Sequence, residues 1–406
     1  MPSHDALVIG AGLVGSAIAL RLAQEGLQVA LLEQSAPGRE ASWAGAGMLS
    51  PAPDSPAAIP LVPFGRASLS LYAQFVGEIE EISGRQTGYR SEGAIELLFS
   101  ADAERELSTL IALHHALGLP TEPLPLDEAA KIEPALTRRA HAAAYFPYEA
   151  CIDNRALIGA LLAAAEISGV KLFPNIHVSQ ILIEHGRCTG AQAEDGTTFK
   201  AQNVVIAAGA FSGLLKGIVP PLATRPIRGQ MVAFNSYEKT IRHVIRCDRG
   251  YLVPRDSARP QRLVTGSTLE DAGFDKRVTA GGIEKILSTA QELVPQLSNA
   301  EITETWSGLR PDTPDHLPLL GPAGVDGLTI ATGHYRNGIL LTPITAKLVR
   351  EWIVEKCVSM DWEIFDPLRF HRAKEESARS NDSRSENPAS DNEAAGDQAG
   401  RKFAHK

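Results

Sequence analysis

The stretch Val8-Ile9-Gly10-Ala11-Gly12-Leu13-Val14-Gly15-Ser16 decides the fold of this 406-residue chain. Its glycines follow the spacing G-x-G-x-x-G, with an apolar strand pattern before them and a helical pattern of apolar residues after them. In such a turn Gly10 permits the tight bend, Gly12 lets backbone approach a pyrophosphate, and Gly15 lets helix and strand pack closely. The N–H groups at the helix N-terminus then face the phosphates. We therefore predict a dinucleotide site, with a glycine-rich packing turn as the alternative.

A second apolar run at residues 29–32 ends at Glu33. An acidic residue at the tip of the second strand can bind ribose hydroxyls, and it disfavours a 2′-phosphate. Strand, helix and acid stand at the separations of a βαβ dinucleotide-binding unit, here over about residues 5–35. This context makes the glycine spacing far more specific than it would be alone.

Composition narrows the class of protein. The formal net charge of −9 argues against a non-specific nucleic-acid surface, so we expect no nucleic-acid partner. The sequence contains no run of eighteen apolar residues, so it predicts no membrane-spanning helix. The first strand begins near residue 5, so we expect no signal peptide and a cytoplasmic protein. Four scattered cysteines without a C-x-x-C pair suit a reducing compartment, and we predict no metal site.

The pattern along the rest of the chain predicts a discontinuous α/β fold. Apolar strands at 203–206 and 328–333 read as buried parallel strands, and 343–356 reads as a long helix with Pro343 in its first turn. Residues 225–305 read as mixed or antiparallel sheet. We predict a Rossmann-like nucleotide-binding domain with an inserted, mainly antiparallel α+β substrate domain. The predicted divisions are nucleotide-binding 1–85, 149–222 and 306–371, substrate domain 86–148 and 223–305, and a disordered tail 372–406.

Several segments, taken in order, resemble the D-amino-acid oxidase family of FAD-dependent amine oxidoreductases. Within that family, the resemblance is to the glycine-oxidising bacterial branch linked to thiamine thiazole synthesis. It covers nearly all of residues 5–365. The segments that carry it are 10–15 with Glu33, 42–51, 204–209, 250–255, 266–268, 306–312 and 333–343.

The resemblance implies FAD as cofactor, with the ribose on Glu33 and the flavin ring along 42–48. The run of small residues in that segment allows close approach to a flat ring, although a flexible loop is the alternative. Relatives with covalent flavin carry a Cys near 306–312, which this chain lacks, so non-covalent FAD is implied. The implied cofactor residues are Gly10, Ala11, Gly12, Leu13, Val14, Gly15, Glu33, Gln34, Ser42, Ala46, Gly47, Met48, Val178, Gly209, His334, Tyr335, Arg336, Asn337, Gly338, Ile339 and Leu340.

The resemblance also implies three substrate-site residues: Arg310, Tyr251 and Arg336. A guanidinium fork binds a carboxylate through two parallel hydrogen bonds, which suits Arg310 to an amino acid's carboxylate. Tyr251 would add its hydroxyl, although a strand Tyr is more often a core residue. We expect His334 to pack beside the flavin rather than act as a base, because hydride transfer needs alignment and a neutral amine.

The implied reaction is oxidation of glycine, sarcosine or a small D-amino acid to the imine, with oxygen reduced to hydrogen peroxide. We expect a homo-oligomer whose partners are the amino acid and oxygen. Three alternatives stay open from the sequence. They are a D-amino-acid dehydrogenase with a non-oxygen acceptor, an NAD-dependent enzyme using the same turn, and a non-catalytic flavin-binding subunit.

Overall fold

A computed structural model describes residues 4–236, 241–255 and 261–372 of the chain. The tail predicted over 372–406 therefore lies, apart from its first residue, outside the described residues. The α-helices are α1 (Leu13–Gln24), α2 (Ala41–Ala44), α3 (Val62–Ser83), α4 (Ala103–Ala116), α5 (Leu126–Ile132), α6 (Asn154–Ile167), α7 (Ala280–Leu293) and α8 (Gly338–Glu355). Short 3₁₀ helices occur at Pro56–Leu61, Gly209–Leu214, Pro295–Asn299 and Glu363–Phe365.

The strands are β1 (His4–Ile9), β2 (Val29–Leu32), β3 (Met48–Leu49), β4 (Ala94–Leu98), β5 (Glu122–Pro123), β6 (Ala142–Phe146), β7 (Ala150–Cys151), β8 (Lys171–Phe173), β9 (Val178–Glu184), β10 (Arg187–Ala193), β11 (Thr198–Ile206), β12 (Arg225–Ser236), β13 (Val244–Cys247), β14 (Gly250–Arg255), β15 (Gln261–Gly266), β16 (Glu301–Asp312), β17 (Leu319–Pro322) and β18 (Leu328–Thr332). They belong to the unit that ends at Pro367. In the second unit, the N–H groups of His371 and Arg372 donate to the Leu368 carbonyl at 2.9 and 3.2 Å.

The first sheet carries the glycine turn. Its strand order is β17-β18-β11-β1-β2-β8, parallel from β18 to β8, with β17 antiparallel at one edge. Residues 6–9 of β1 are almost completely buried, as expected for a strand covered on both faces. Helices α1, α3, α6 and α8 share one hydrophobic core with this sheet. Three separated stretches of chain supply the strands, so the predicted discontinuous Rossmann-like fold is confirmed.

The second sheet has the order β16-β12-β15-β14-β13-β4-β6-β5. Every neighbouring pair is antiparallel except β13 with β4, so the strands of residues 225–305 pair antiparallel with one another, one of the two arrangements predicted for them. Helix α7 packs its apolar residues into the core of this sheet. Strand β16 pairs with β12 along its length and crosses the predicted division at 305/306. The domain divisions otherwise stay a prediction.

Helix α8 begins at Gly338, five residues before the predicted start, so placing Pro343 in its first turn was wrong. A proline inside a helix removes the N–H that would bond the carbonyl four residues earlier, here that of Ile339. The Tyr72 hydroxyl of α3 donates to that carbonyl at 2.7 Å instead. Ser68 donates to the Leu340 carbonyl at 2.6 Å, so the neighbouring helix satisfies the interrupted turn. Among the described residues, no helix combines the length and apolar character needed to cross a membrane.

Candidate active site

The glycine turn adopts a conformation that only glycine fits. Gly10 has φ of 106°, and a Cβ there would lie 2.5 Å from the Ala207 carbonyl oxygen. A Cβ on Gly15 would lie 1.9 Å from the Gly10 carbonyl oxygen, so a side chain would push α1 away from β1. Gly12 is the residue before α1, where the helix presents N–H groups without intrahelical acceptors. The turn therefore provides an anion-binding cradle at the end of β1.

Glu33 stands at the end of β2 beside this turn, and it is buried. Its Oε2 accepts the Ala11 N–H at 2.9 Å, and its Oε1 accepts the Ser35 N–H at 3.2 Å. Burial raises the pKa of the Glu33 carboxyl, and the Ala11 N–H opposes that shift. These bonds hold an acceptor group in place where a ribose would pass the strand tip.

Residues 41–48 connect the turn to the second sheet. Helix α2 begins the segment, and β3 ends it in a two-residue pair with β7. The Ser42 Oγ accepts the Leu13 N–H at 2.9 Å, which ties the segment to the start of α1. The Asn154 side chain donates to the carbonyls of Ser42 and Trp43 at 2.7 and 3.0 Å. The segment is thus anchored along its length.

One cavity of about 430 Å³ runs from Glu33 to the second sheet. The carboxyl ends of β1, β2, β11 and β18 open into it, the usual ligand position in a parallel α/β sheet. It gathers most of the sequence-predicted site residues. Those that line it are Gly10, Gly12, Leu13, Val14, Glu33, Gln34, Ser42, Ala46, Gly47, Met48, Val178, Gly209, Tyr251, Arg310, His334, Tyr335, Arg336, Gly338 and Ile339.

Four predicted cofactor residues do not line the cavity, each for a local reason. Ala11 is buried with its N–H on Glu33, and Gly15 packs against the turn itself. Asn337 is the residue before α8, and its carbonyl accepts the Leu341 N–H at 2.8 Å. Leu340 lies in the core of the first sheet. These residues shape the site without lining it.

Arg310 lies at the second-sheet end of the cavity, on β16. Its Nη2 donates to Ser267 Oγ at 2.6 Å and its Nη1 to the Thr268 carbonyl at 3.3 Å. Across the strand pair a Cβ on Gly229 would lie 2.2 Å from Nη1, so glycine there makes room for the guanidinium. Burial lowers the pKa of Arg310, and the Tyr251 hydroxyl opposes that shift. Within residues 4–236, 241–255 and 261–372, no carboxylate pairs with this partly buried cation.

Tyr251 and Arg336 differ in how they approach Arg310. The Tyr251 hydroxyl lies 3.5 Å from Met231 Sδ, and its electrostatic interaction with the guanidinium raises the pKa of Arg310 against the effect of burial. Arg336 already pairs with Asp54, and 43% of its side chain is exposed. It therefore lies at the rim of the cavity, where its charge is balanced and screened by water. Of the two arginines, Arg310 is the one suited to hold an anion inside.

His334 lies beside the start of α8, and only 3% of its surface is exposed. Its Nε2 is 3.1 Å from Thr345 Oγ1. Burial lowers the pKa of His334 to about 4. The imidazole is therefore neutral at physiological pH and a weak base, which agrees with the expectation that it packs in the site.

Sequence reasoning missed several residues that line the cavity, among them Ala208, Phe211, Lys216, Gly229, Met231 and Ser267. Gly229 faces Gly308 across the β12–β16 pair, a juxtaposition that sequence spacing does not reveal. The available signal was that Ala208 and Ser267 lie in segments 204–209 and 266–268, which carry the family resemblance. The four cysteines all lie within the described ranges, and none of them lines the cavity.

Residues 5–352 match the family described as FAD dependent oxidoreductase. The chain belongs to this family. It is 34% identical over 371 residues to glycine oxidase from Geobacillus kaustophilus, covering 90% of this chain and 97% of that protein. The crystal structure of glycine oxidase from the same organism superposes with a TM-score of 0.85 at 32% identity, covering 90% of this chain and 98% of that one.

Another relative is the bifunctional protein ThiO/ThiG of Trichormus variabilis, 35% identical over 359 residues. That match covers 87% of this chain and 53% of the relative, so the chain spans about half the length of that protein. As in its family, the cofactor of this chain is FAD. The site fits FAD for two reasons. The glycines of the cradle have no Cβ atoms to block the phosphates, and the space beside Gly209 in the cavity is open, because a Cβ added there would meet no atom within 4 Å.

Proposed function

We propose that this chain oxidises glycine or another small amino acid, such as sarcosine or a small D-amino acid, with FAD as cofactor and oxygen as acceptor. The observation that carries the proposal is the Arg310 guanidinium, which is partly buried at the cofactor cavity without an acidic partner in the described residues. A buried cation is costly unless it is paired. An amino acid's carboxylate supplies the missing charge.

The binding step follows from the surroundings of Arg310. Its fork is held from one side by Ser267 and Thr268, so the open side of the guanidinium faces the cavity. A carboxylate there would receive two parallel N–H bonds from Arg310 and a third hydrogen bond from the Tyr251 hydroxyl. Three donors leave little rotational freedom, and this orients the α-carbon for reaction.

The chemistry that FAD supplies when bound is acceptance of a hydride from the substrate's α-carbon, with oxygen as the final electron acceptor and hydrogen peroxide as a product. The substrate's ammonium group loses one proton to solvent, and departure of the hydride from the α-carbon converts the C–N bond to a protonated imine, which water then hydrolyses. The protein's part is positioning and exclusion of water. His334, neutral because burial lowers its pKa to about 4, adds no positive charge to the cavity that would repel the ammonium form of the substrate.

The relatives support the substrate class. Proteins named glycine oxidase match this chain over nearly their whole length. A relative named ThiO/ThiG favours a role in supplying the imine of glycine for thiamine thiazole synthesis. Non-covalent FAD is part of the proposal, because no cysteine lines the cavity. A homo-oligomeric state and a cytoplasmic location stay predictions.

The test is turnover in aerated buffer without any added acceptor. The purified holoenzyme is mixed with glycine, sarcosine or D-alanine, and peroxide, ammonia or primary amine and oxo acid are quantified. The proposal expects one peroxide per oxo acid. Turnover only after a quinone or dye is added would identify a dehydrogenase instead. Bound flavin with no turnover under either condition would indicate a non-catalytic flavin-binding subunit.

A further inference from the structure

The segment 42–47 is held by five of its six carbonyl groups, each of which accepts a hydrogen bond from a donor outside the cavity. Asn154 donates to the carbonyls of Ser42 and Trp43 at 2.7 and 3.0 Å. Trp306 Nε1 donates to the Ala44 carbonyl at 3.0 Å. The Gly47 carbonyl accepts the Ile152 N–H at 2.8 Å. None of Asn154, Trp306 and Ile152 lines the cavity, so this anchoring comes from behind the segment.

Arg255 completes the anchoring from the end of β14. Its Nη2 donates both to the Ala46 carbonyl and to Asn154 Oδ1, the second bond at 3.1 Å. The side chain is 5% exposed, and its Nη1 has no hydrogen-bond partner in the part of the chain that the structure describes. Arg255 and Asn154 therefore form one bonded pair, which we call the Asn154–Arg255 latch.

The latch fixes where the N–H groups of the segment point. In a trans peptide the C=O and N–H groups point in opposite directions. The Ala46 carbonyl faces Arg255, so the Gly47 N–H points away from Arg255. The Gly47 carbonyl faces Ile152, so the Met48 N–H points away from Ile152. Gly47 and Met48 both line the cavity. Two backbone donors are thus directed at whatever lies against this wall.

The latch also carries charge. The carboxylate nearest to Arg255 is Asp153, whose Oδ2 is 4.0 Å from Arg255 Nε and whose Oδ1 caps α6. Two further arginines, Arg155 and Arg262, share the single carboxylate of Glu304. Three guanidinium groups against two carboxylates leave one net positive charge behind the segment. Burial lowers the pKa of Arg255 and Asp153 opposes that shift, yet a guanidinium stays protonated in proteins.

We propose that Asn154 and Arg255 are positioning residues that raise the reduction potential of the bound flavin. They aim two N–H donors at the ring and hold a net positive charge behind them, and both favour the more negative reduced form. The inference rests on the proposed placement of the flavin ring against residues 42–48. It assigns no catalytic step to either residue.

The experiment is a redox titration of the holoenzyme against indicator dyes, which reads the flavin potential without turnover. Three variants separate charge from geometry. Arg255→Met removes the charge, Arg255→Lys keeps it, and Asn154→Asp adds a carboxylate of the same shape beside Arg255. Asn203→Asp is the matched control, because Asn203 also donates to a backbone carbonyl, that of Asp5 at 3.1 Å, and does not line the cavity.

We expect Arg255→Met and Asn154→Asp to shift the equilibrium about tenfold toward oxidised flavin, which is about 30 mV for two electrons. Arg255→Lys should shift it less than Arg255→Met, and Asn203→Asp should leave it unchanged. If Arg255→Met does not yield holoenzyme, the flavin potential of Asn154→Asp tests the inference in its place. Unchanged potentials in the charge variants that bind FAD would overturn the inference. A wild-type flavin that no amino acid reduces would instead refute the proposed function, since the dye titration does not depend on substrate.

Discussion

Replacing Gly229 by Ala tests the role of Arg310 without touching Arg310 itself. Gly229 lies on β12, and a Cβ there would approach Nη1, Nη2 and Cζ of Arg310 to 2.2, 2.5 and 2.6 Å. Atoms at these separations overlap, so one group must move. The guanidinium is the end of a flexible side chain, whereas Gly229 is fixed by pairing with Gly308. We expect Arg310 to yield and the fold to be retained.

The displacement has a calculable cost in catalysis. A shift of about 1 Å breaks the two-point geometry and removes at least one of the charge-assisted hydrogen bonds to the carboxylate. Such a bond contributes about 1.5–3 kcal/mol. Since about 1.4 kcal/mol is a factor of ten, kcat/KM for glycine should fall about 10- to 150-fold. Most of the loss should appear in KM, while the free energy of unfolding should change by less than about 1 kcal/mol.

The assay is peroxide release at varied glycine concentration, together with urea unfolding of each variant. Gly281→Ala is the control, because a Cβ at that position in α7 meets no atom within 4 Å. It should leave kcat/KM unchanged. A Gly229→Ala enzyme with wild-type KM for glycine would refute the assignment of Arg310 as the carboxylate anchor, since the anchor would have moved without effect.

Three further predictions follow from single contacts. Tyr72→Phe leaves the Ile339 carbonyl without its hydroxyl donor and should lower the free energy of unfolding by about 1–2 kcal/mol, measured by urea denaturation. The pKa of His334 is about 4 in the fold and near its ordinary value of about 6.5 in the unfolded chain, so the unfolded state binds the extra proton in between. The free energy of unfolding should therefore rise by about 3 kcal/mol as the pH increases from about 4 to 6.5. His334→Asn should flatten this rise, measured as urea midpoints at each pH. The same pH dependence in both proteins would contradict the prediction. Glu33→Gln removes a charged acceptor for ribose and should weaken FAD binding about tenfold in a fluorescence titration of the apoprotein, with unaltered affinity as the opposing result.

The part of the site that sequence predicts best is local. Gly10, Gly15 and Glu33 take their roles from neighbours within one βαβ unit, and the structure places them as the spacing requires. The roles of these three residues depend on the backbone conformation of the turn, and the sequence pattern within the βαβ unit specifies that conformation. Arg310 could be selected only through family resemblance, because most arginines are exposed partners of ion pairs and nothing in the local sequence marks this one as lining a cavity.

The part that sequence could not predict depends on register and on long-range contacts. Gly229 makes room for Arg310 because the β12–β16 pairing brings the two residues together, and the register of that pairing cannot be predicted from the sequence of either strand alone. Arg336, which stays a predicted substrate-site residue, lines the cavity, and its ion pair with Asp54, 282 residues away, is a contact that the sequence does not reveal. The start of α8 was misplaced because proline is favoured in a first helical turn. The Tyr72 and Ser68 hydroxyls of α3 satisfy the carbonyls that Pro343 leaves open deeper in the helix.

We propose that an amino acid whose carboxylate is bound by Arg310 transfers a hydride from its α-carbon to FAD in this cavity. An anaerobic titration of the purified yellow protein with glycine, sarcosine and D-alanine, followed through the visible flavin absorbance, tests it most directly. We predict that at least one of them bleaches the flavin at saturable concentration, and that Arg310→Met requires far more of it. Flavin that stays fully oxidised with all three, in protein shown to be folded and loaded with FAD, would contradict the account.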